Sequence, residues 1–284
     1  MPRTYRLLIS CPDAKGIVAA VSSFIASQGG WIAEANHHSD PINHRFYMRY
    51  EILANSIPLT IYPFYDLFCD LAQKWNFSWS ITDSDIPRRV ALLASKQAHC
   101  LSDLLYRWRS GDLVMDIPCV ISNHEDLRDY VEWHDIPYHC VPVDKSNKEA
   151  AFNKMTELLA GHNIDTVVLA RYMQILPPDL CQDYVNQVIN IHHSFLPSFV
   201  GAKPYHQAYE RGVKLVGATC HYVTSELDAG PIIEQDVVRV GHHHLPEDMV
   251  RLGKDVEKTV LARGLRYHLE DRVIVDGAKT IILD

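Results

Sequence analysis

Val90-Ala-Leu-Leu-Ala94 is an unbroken apolar run, preceded by Arg88-Arg89 and followed by the polar turn Ser95-Lys-Gln-Ala-His-Cys100. A strand covered on both faces is apolar at every position, whereas a strand with one wet face alternates. The run therefore reads as a central strand of a parallel sheet. The sequence downstream keeps that rhythm. A helix over residues 101–109 stops at Gly111, and strands follow at 118–122, 138–141 and 166–170. Helical stretches at 125–133 and 147–160 lie between them. Such alternation is the pattern of a doubly wound, mostly parallel α/β sheet. Further strands are expected at 188–192, 215–223 and 232–240. A long helix covers 245–268, with Pro246 acceptable in its first turn. Strands 273–276 and 280–283, turning through Asp276-Gly277, read as a closing hairpin. The first crossover lacks GxGxxG, so no dinucleotide fingerprint is present.

Upstream of the run the pattern changes. Residues 5–11 read as a strand, and Asp13-Ala-Lys-Gly16 is a turn that opens a helix over 17–28. Val18, Val21, Phe24 and Ile25 form its apolar face. Gly29-Gly30 ends the helix. Residues 31–39 and 45–52 form a hairpin around Asp40-Pro-Ile-Asn-His44. A second helix over 64–75 and a strand over 77–82 complete a βαββαβ order, which is ferredoxin-like. The charged, proline-containing stretch Thr82-Asp-Ser-Asp-Ile-Pro-Arg-Arg89 reads as a linker. The expected division is 1–82, a linker at 83–89, and a second domain over 90–284.

Composition narrows the function classes. The chain has 284 residues, 47% hydrophobic and 22% charged, with 27 basic against 35 acidic side chains for a net charge of −8. A net negative charge argues against a nucleic-acid partner held by counterion release. No apolar run approaches the ~18 residues of a membrane span, and Met1–Gly16 lacks the pattern of a signal peptide. A cytoplasmic protein with no membrane partner is expected. The seven cysteines, Cys11, Cys69, Cys100, Cys119, Cys140, Cys181 and Cys220, never fall as CxxC. They suit free thiols in a reducing compartment. His242-His-His244 has no acidic or thiol partner at ligand spacing and reads as a solvated loop, so no metal site is expected.

The densest polar cluster in an apolar context is Val188-Ile-Asn-Ile-His-His-Ser-Phe-Leu-Pro197. On a strand over 188–192, Asn190 and His192 point to one side. They sit at the carboxyl end, where open α/β sheets place their ligands. A carboxamide beside an imidazole can hold a developing oxyanion and move a proton. The same two groups can equally satisfy loop backbone. His221 lies near the end of another apolar strand, and Asp228 lies in the loop Thr224-Ser-Glu-Leu-Asp-Ala-Gly230. A carboxylate there can orient an imidazole or take a proton from water, although Asp is also a common turn residue.

Asn190-Ile-His192, Leu196-Pro197, Gly201 and Asp228-Ala-Gly230, with Asp228 36 positions after His192, resemble the folate-dependent formyltransferase family. That family includes glycinamide ribonucleotide transformylase and methionyl-tRNA formyltransferase. The resemblance covers residues 88–284. The preceding segment, with Asp13-x-x-Gly16 between strand and helix, resembles an ACT domain. That fusion, with Ile191-His-His193-Ser-Phe-Leu-Pro197 and Ile121-Ser-Asn-His124, is similar to the hydrolytic branch, which splits 10-formyltetrahydrofolate to tetrahydrofolate and formate. The resemblance thus implies a hydrolase of one-carbon metabolism that balances the folate pool and supplies formate for purine synthesis. Folate is then the substrate, and no cofactor is implied.

The resemblance also implies roles. Asn190 binds the formyl oxygen. His192 stabilises the tetrahedral intermediate and helps protonate the folate nitrogen, and Asp228 positions or deprotonates water and holds His192. His221 supports them. Met173, Ile175 and Leu176 line the folate pocket, and Ser225, Glu226 and Leu227 lie on the loop that meets the pterin. Asp13 and Gly16 mark an effector site for a small amino acid, in a domain that pairs between subunits of a homo-oligomer. One departure favours hydrolysis. The transformylases cradle an acceptor phosphate in a Gly-Ser-Asn turn, and the turn at Ser95–Cys100 has no glycine to form so tight an N–H nest. Formyl transfer to an amine, and a silent amino-acid-sensing protein that only binds folate, are the alternative readings. Arg171 is expected either at the folate glutamate tail or in a surface ion pair.

Overall fold

The computed structural model describes residues 2–196 and 204–283. Pro197 and Gly201 of the motif above lie outside the described residues. The chain forms two compact units.

The first unit begins with β1 (Thr4–Pro12), α1 (Ile17–Ser27), β2 (Ile32–Asp40) and β3 (Arg45–Leu53). A 3₁₀ turn (Ala54–Ser56), α2 (Ile61–Trp75) and β4 (Ser78–Asp83) follow. The strands form one sheet in the order β2-β3-β1-β4, every pair antiparallel, which is the expected ferredoxin-like arrangement. Period-2 burial explains β1, where Tyr5, Leu7, Ile9 and Cys11 are buried. Helical period explains α1, where Ile17, Val21 and Ile25 are buried. Val18, assigned above to that face, is exposed, because it lies one position off the stripe. Phe64, Phe68 and Ala72 of α2, spaced by four, complete the core. Burying each of those phenylalanine side chains contributes roughly 1.5–3 kcal/mol. Gly29 takes a φ of +79° just past α1, a left-handed backbone that suits glycine.

The closing hairpin corrects the expected division. Strands β12 (Val273–Asp276) and β13 (Lys279–Ile282) form a two-stranded sheet. Residues 270–276 and 280–283 belong with the first unit, not the second. The cause is Arg49 of β3, whose buried guanidinium donates to the backbone carbonyls of Glu270 (2.9 Å) and Asp271 (3.1 Å). Thr82 adds a hydrogen bond to the Asp271 carboxylate at 2.7 Å. Such long-range pairing leaves no local sequence signal. Asp83, placed above in the linker, is instead the buried end of β4 and is paired with Arg3. The unit boundary falls between Pro87 and Arg88.

The second unit holds β5 (Arg89–Ala94), α3 (His99–Arg109), β6 (Asp116–Ser122), α4 (Arg128–Glu132), β7 (Tyr138–Cys140), α5 (Lys148–Gly161) and β8 (Thr166–Ala170). It continues with α6 (Pro178–Asp183), β9 (Val188–His192), α7 (Pro204–Glu210), β10 (Leu215–Tyr222), β11 (Ile232–Arg239) and α8 (Pro246–Leu269). Its seven-stranded sheet runs β11-β10-β9-β8-β5-β6-β7. Strands β5 to β9 are parallel, and β10 and β11 are antiparallel additions. Ala91 and Leu93 face the core beneath α5, and the alternating Val90, Leu92 and Ala94 are also fully buried, as a strand covered on both faces requires. The short helices α6 and α7 are additions to the expected elements. Pro178 sits at the first helical position of α6, where its missing N–H costs little. The strand order reverses at β5, so ligand space is expected beyond the carboxyl ends of the central strands.

Candidate active site

Strands β9 and β10 pair antiparallel with Asn190 opposite His221 and His192 opposite Thr219. Directly opposed residues share a face, so this register brings an amide and two imidazoles together. His221 is buried, and its Nδ1 lies 2.8 Å from the Tyr222 carbonyl oxygen. A carbonyl only accepts, so Nδ1 carries the proton and Nε2 is an acceptor. Nε2 takes its hydrogen bond from the Asn190 amide at 3.2 Å. That bond turns the Asn190 NH₂ group inward and leaves one N–H for another acceptor. Burial holds His221 below the ordinary imidazole pKa, opposed by its bond to Tyr222 and by Asp228, so the ring stays neutral.

Asp228 reaches the cluster from the loop after β10, at a left-handed φ of +55°. Its carboxylate lies 3.3 Å from His192 Nδ1 and 3.7 Å from His221 Nε2. The His192 hydrogen bond holds the Asp228 carboxyl below the usual range, against the upward push of burial. The loop is seated by Gly230. A Cβ there would stand 1.8 Å from the Tyr222 carbonyl oxygen, the same oxygen that fixes the His221 tautomer. With Nδ1 of His192 turned to Asp228, its Nε2 is buried and makes no hydrogen bond among the described residues.

The turn after His192 is pinned by Thr219. Its hydroxyl donates to the Ser194 carbonyl (3.0 Å) and accepts from the Leu196 amide (3.0 Å). Gln235 of β11 also donates to the Leu196 carbonyl at 3.1 Å. At the end of β5, Ser95 donates to Asn123 (2.7 Å) and accepts from the Met173 amide (3.1 Å). The glycine-free turn thus holds the segment after β8. Met173 and Ile175 are exposed there, whereas Leu176 is buried in the core beneath α5. Ser225, Glu226 and Leu227 are exposed on the Asp228 loop.

A second buried cluster escapes the sequence reading. Glu257 of α8 is 1% exposed. Its carboxylate lies 2.8 Å from His99 Nε2, accepts from the Tyr205 hydroxyl at 2.8 Å, and lies 3.3 Å from Arg171 Nε. Burial pushes Glu257 up, but His99, Arg171 and Tyr205 outweigh it and the net shift is downward. Arg171 is therefore neither on the surface nor set for a solvent-facing tail; it is buried against Glu257. Burial, with Arg171 and His192 nearby, lowers His193 to about 4, so it is neutral at physiological pH. Gly253 leaves the space that the Tyr205 ring fills. Only the i,i+4 spacing of Gly253 and Glu257 on one helix face hints at this in the sequence.

The other expected sites lie elsewhere. Asp13 is exposed at the β1–α1 junction, where Ser39 donates to it, and Gly16 takes a φ of +95° as the N-cap of α1. A groove of about 440 Å³ in the first unit is lined by Asn36, His37, His38 and residues 280–283, and no member of the Asn190 cluster borders it. Gly241 donates to His244 Nδ1 within the histidine loop, whose His242 and His243 are exposed. All seven cysteines are free. Among the described residues, no helix is long and apolar enough to cross a membrane.

The formyl transferase family model matches residues 88–265. A formyltetrahydrofolate deformylase of Bacillus subtilis strain 168 is 48% identical over 280 residues, covering 98% of this chain and 93% of that protein. One of Escherichia coli O6:H1 is 42% identical, with 96% of each chain covered. The crystal structure of a formyltetrahydrofolate deformylase from Pseudomonas syringae pv. tomato superposes with a TM-score of 0.99 at 63% identity, covering 100% of this chain and 95% of that one. Glycinamide ribonucleotide transformylase 1 from Symbiobacterium toebii superposes over 70% of this chain and 95% of its own, with a TM-score of 0.66 at 29% identity. The chain belongs to the formyl transferase family, among its formyltetrahydrofolate deformylases.

Proposed function

We propose that this chain hydrolyses 10-formyltetrahydrofolate to tetrahydrofolate and formate at the Asn190–His192–Asp228 cluster. The observation that carries the assignment of residues is the buried Nε2 of His192, unpartnered among the described residues, beside the inward-turned Asn190 amide. An unpaired polar nitrogen in a buried site costs free energy unless a ligand group meets it. A formyl oxygen, which only accepts, meets it when Nε2 carries a proton as well as the Nδ1 turned to Asp228. Asn190 donates an N–H to it, and His192 stabilises the charge that grows there as water adds. Asp228 orients the water and takes its proton. The tetrahedral species then collapses: the carbon–nitrogen bond breaks as N10 takes a proton from His192, the proton held by Asp228 returns to His192, and the formic acid leaves as formate, its proton passing to solvent. His221 acts one step back, by holding the Asn190 amide. Met173, Ile175 and the exposed Ser225–Leu227 loop border the folate, and Leu176 contributes through backbone or core packing. Folate is the substrate rather than a recycled cofactor.

The acceptor-free reaction is the test. The chain is expected to release formate and tetrahydrofolate in equal amounts from 10-formyltetrahydrofolate in buffer without amines. Release that requires an added amine would identify a transferase, and binding without turnover would identify a silent folate binder.

The first unit has the ferredoxin-like build that carries small-ligand control in ACT-type proteins. Asp13, Gly16 and the subunit pairing of such domains are assigned to a small amino-acid effector and a homo-oligomeric, cytoplasmic enzyme. Asp13→Ala is expected to abolish the response of formate release to amino acids while basal release is kept. An unchanged response would remove Asp13 from effector binding.

A further inference from the structure

Cys119 on β6, His139 on β7 and His162 just after α5 each bring one ligand atom to within 4.8 Å of the others. The hydrolytic cycle uses none of them. Strand register places them away from it: Cys119 pairs with Ala91, Ala91 with Val167, and Val167 with Val188. Cys119 is therefore level with the start of β9, about 13 Å along the strand direction from His192 and about 14 Å across the sheet, at ~3.3 Å per residue and ~4.7 Å per strand.

We propose that Cys119, His139 and His162 form a three-ligand site for a thiophilic d¹⁰ cation, zinc(II), with water as the fourth ligand. The two histidine Nε2 atoms lie 3.2 Å apart. Zn–N bonds of about 2.0–2.1 Å at a tetrahedral angle separate two nitrogens by about 3.3 Å, and a thiolate at about 2.3 Å would stand about 3.6 Å from each. Without a cation, one proton must bridge the two rings, since only a donor and an acceptor can meet at that distance. A zinc ion replaces that proton.

The surroundings set the terms. Burial, then His162, Arg128 and Lys154, hold His139 below the ordinary imidazole pKa, which keeps the ring in its ligating neutral form. Burial pushes the Cys119 thiol up to about 11, with Arg89 opposing, so binding must release a proton and tighten as pH rises. Arg128 and Lys154 disfavour a bare divalent charge, and the thiolate offsets part of it. His162 is the C-cap of the 14-residue α5, whose carbonyl end favours a cation. The bound ion would tie the three-residue edge strand β7 and the end of α5 to β6. The ligands come from three elements between residues 119 and 162, so no ligand spacing betrays them in sequence.

Cobalt(II) and zinc(II) titration of the reduced full chain tests this, with His242, His243 and His244 replaced by alanine to silence the exposed loop. One equivalent of cobalt is expected to give a thiolate-to-cobalt charge-transfer band and tetrahedral d–d bands, both displaced by zinc. A hundredfold excess of zinc over Kd is expected to raise Tm by about 5 °C. Cys119→Ser and His162→Ala should each abolish these signals, and Cys100→Ala, in the separate His99–Cys100–Glu257 cluster, should keep them. His162 is half-exposed, so its variant remains a decisive test even where serine at 119 costs the fold. No thiolate band in the parent, or a band that survives His162→Ala, overturns the site. Uptake of cuprous ion but not zinc overturns its assignment to zinc.

Discussion

Asp228→Asn is expected to lower formate release by about 10²–10⁴-fold, with folate-analogue affinity changed little. Asparagine adopts the left-handed φ of +55° at this position more readily than most residues. Its amide oxygen can still accept from His192 Nδ1, so loop and ring geometry are retained. What disappears is the negative charge, and with it the base that takes the proton of the attacking water. The pH profile supplies a second reading. Asp228 has a lowered pKa in the folded protein, so its charge is present above the ordinary carboxylate value and is lost only as pH falls through the lower folded value. The acid limb of kcat for the parent should therefore lie below the usual carboxylate range. Comparison of kcat, analogue Kd and pH profile for both proteins checks this. Near-parental turnover in Asp228→Asn would remove Asp228 from the mechanism.

Glu257→Ala is expected to cost about 3–5 kcal/mol of stability, measured by denaturant unfolding. The carboxylate is almost wholly buried and is the shared partner of His99, Tyr205 and Arg171. Truncating it leaves a guanidinium, a phenol and an imidazole inside without their common acceptor. Glu257→Gln should cost less, because it keeps an acceptor and loses only the charge facing Arg171. The folded-state pKa of Glu257 is lowered, so its stabilising contribution is present above the unfolded carboxylate value and fades as pH falls through the folded one. The difference between parent and Glu257→Ala should therefore shrink in acid. A loss below about 1 kcal/mol at neutral pH would mean that the cluster is not held by this carboxylate.

Strands such as β5 and β8 are legible because burial on both faces writes itself as near-continuous apolar sequence, and 166–170 and 188–192 have the bounds expected of them. Asn190, His192, His221 and Asp228 are legible as a group because the first two share a strand face, His221 ends another apolar strand, and Asp228 follows His192 by 36 positions. Their mutual distances then follow from the β9–β10 register, which sequence does not state. The Glu257 cluster is hidden because His99, Arg171, Tyr205 and Glu257 come from four separate parts of the chain. The hairpin at 273–282 falls to the wrong unit in a sequence reading for the same reason: its anchor, Arg49, lies more than 200 positions earlier. The helices α6 and α7 are too short to show a helical period.

Hydrolysis carried out in H₂¹⁸O addresses the nucleophile itself. If Asn190, His192 and Asp228 deliver water to the formyl carbon, each formate released should carry one ¹⁸O atom and the tetrahydrofolate none, at a rate set by Asp228. Formate that emerges unlabelled, or a formyl group recovered on an amine instead, would contradict the account.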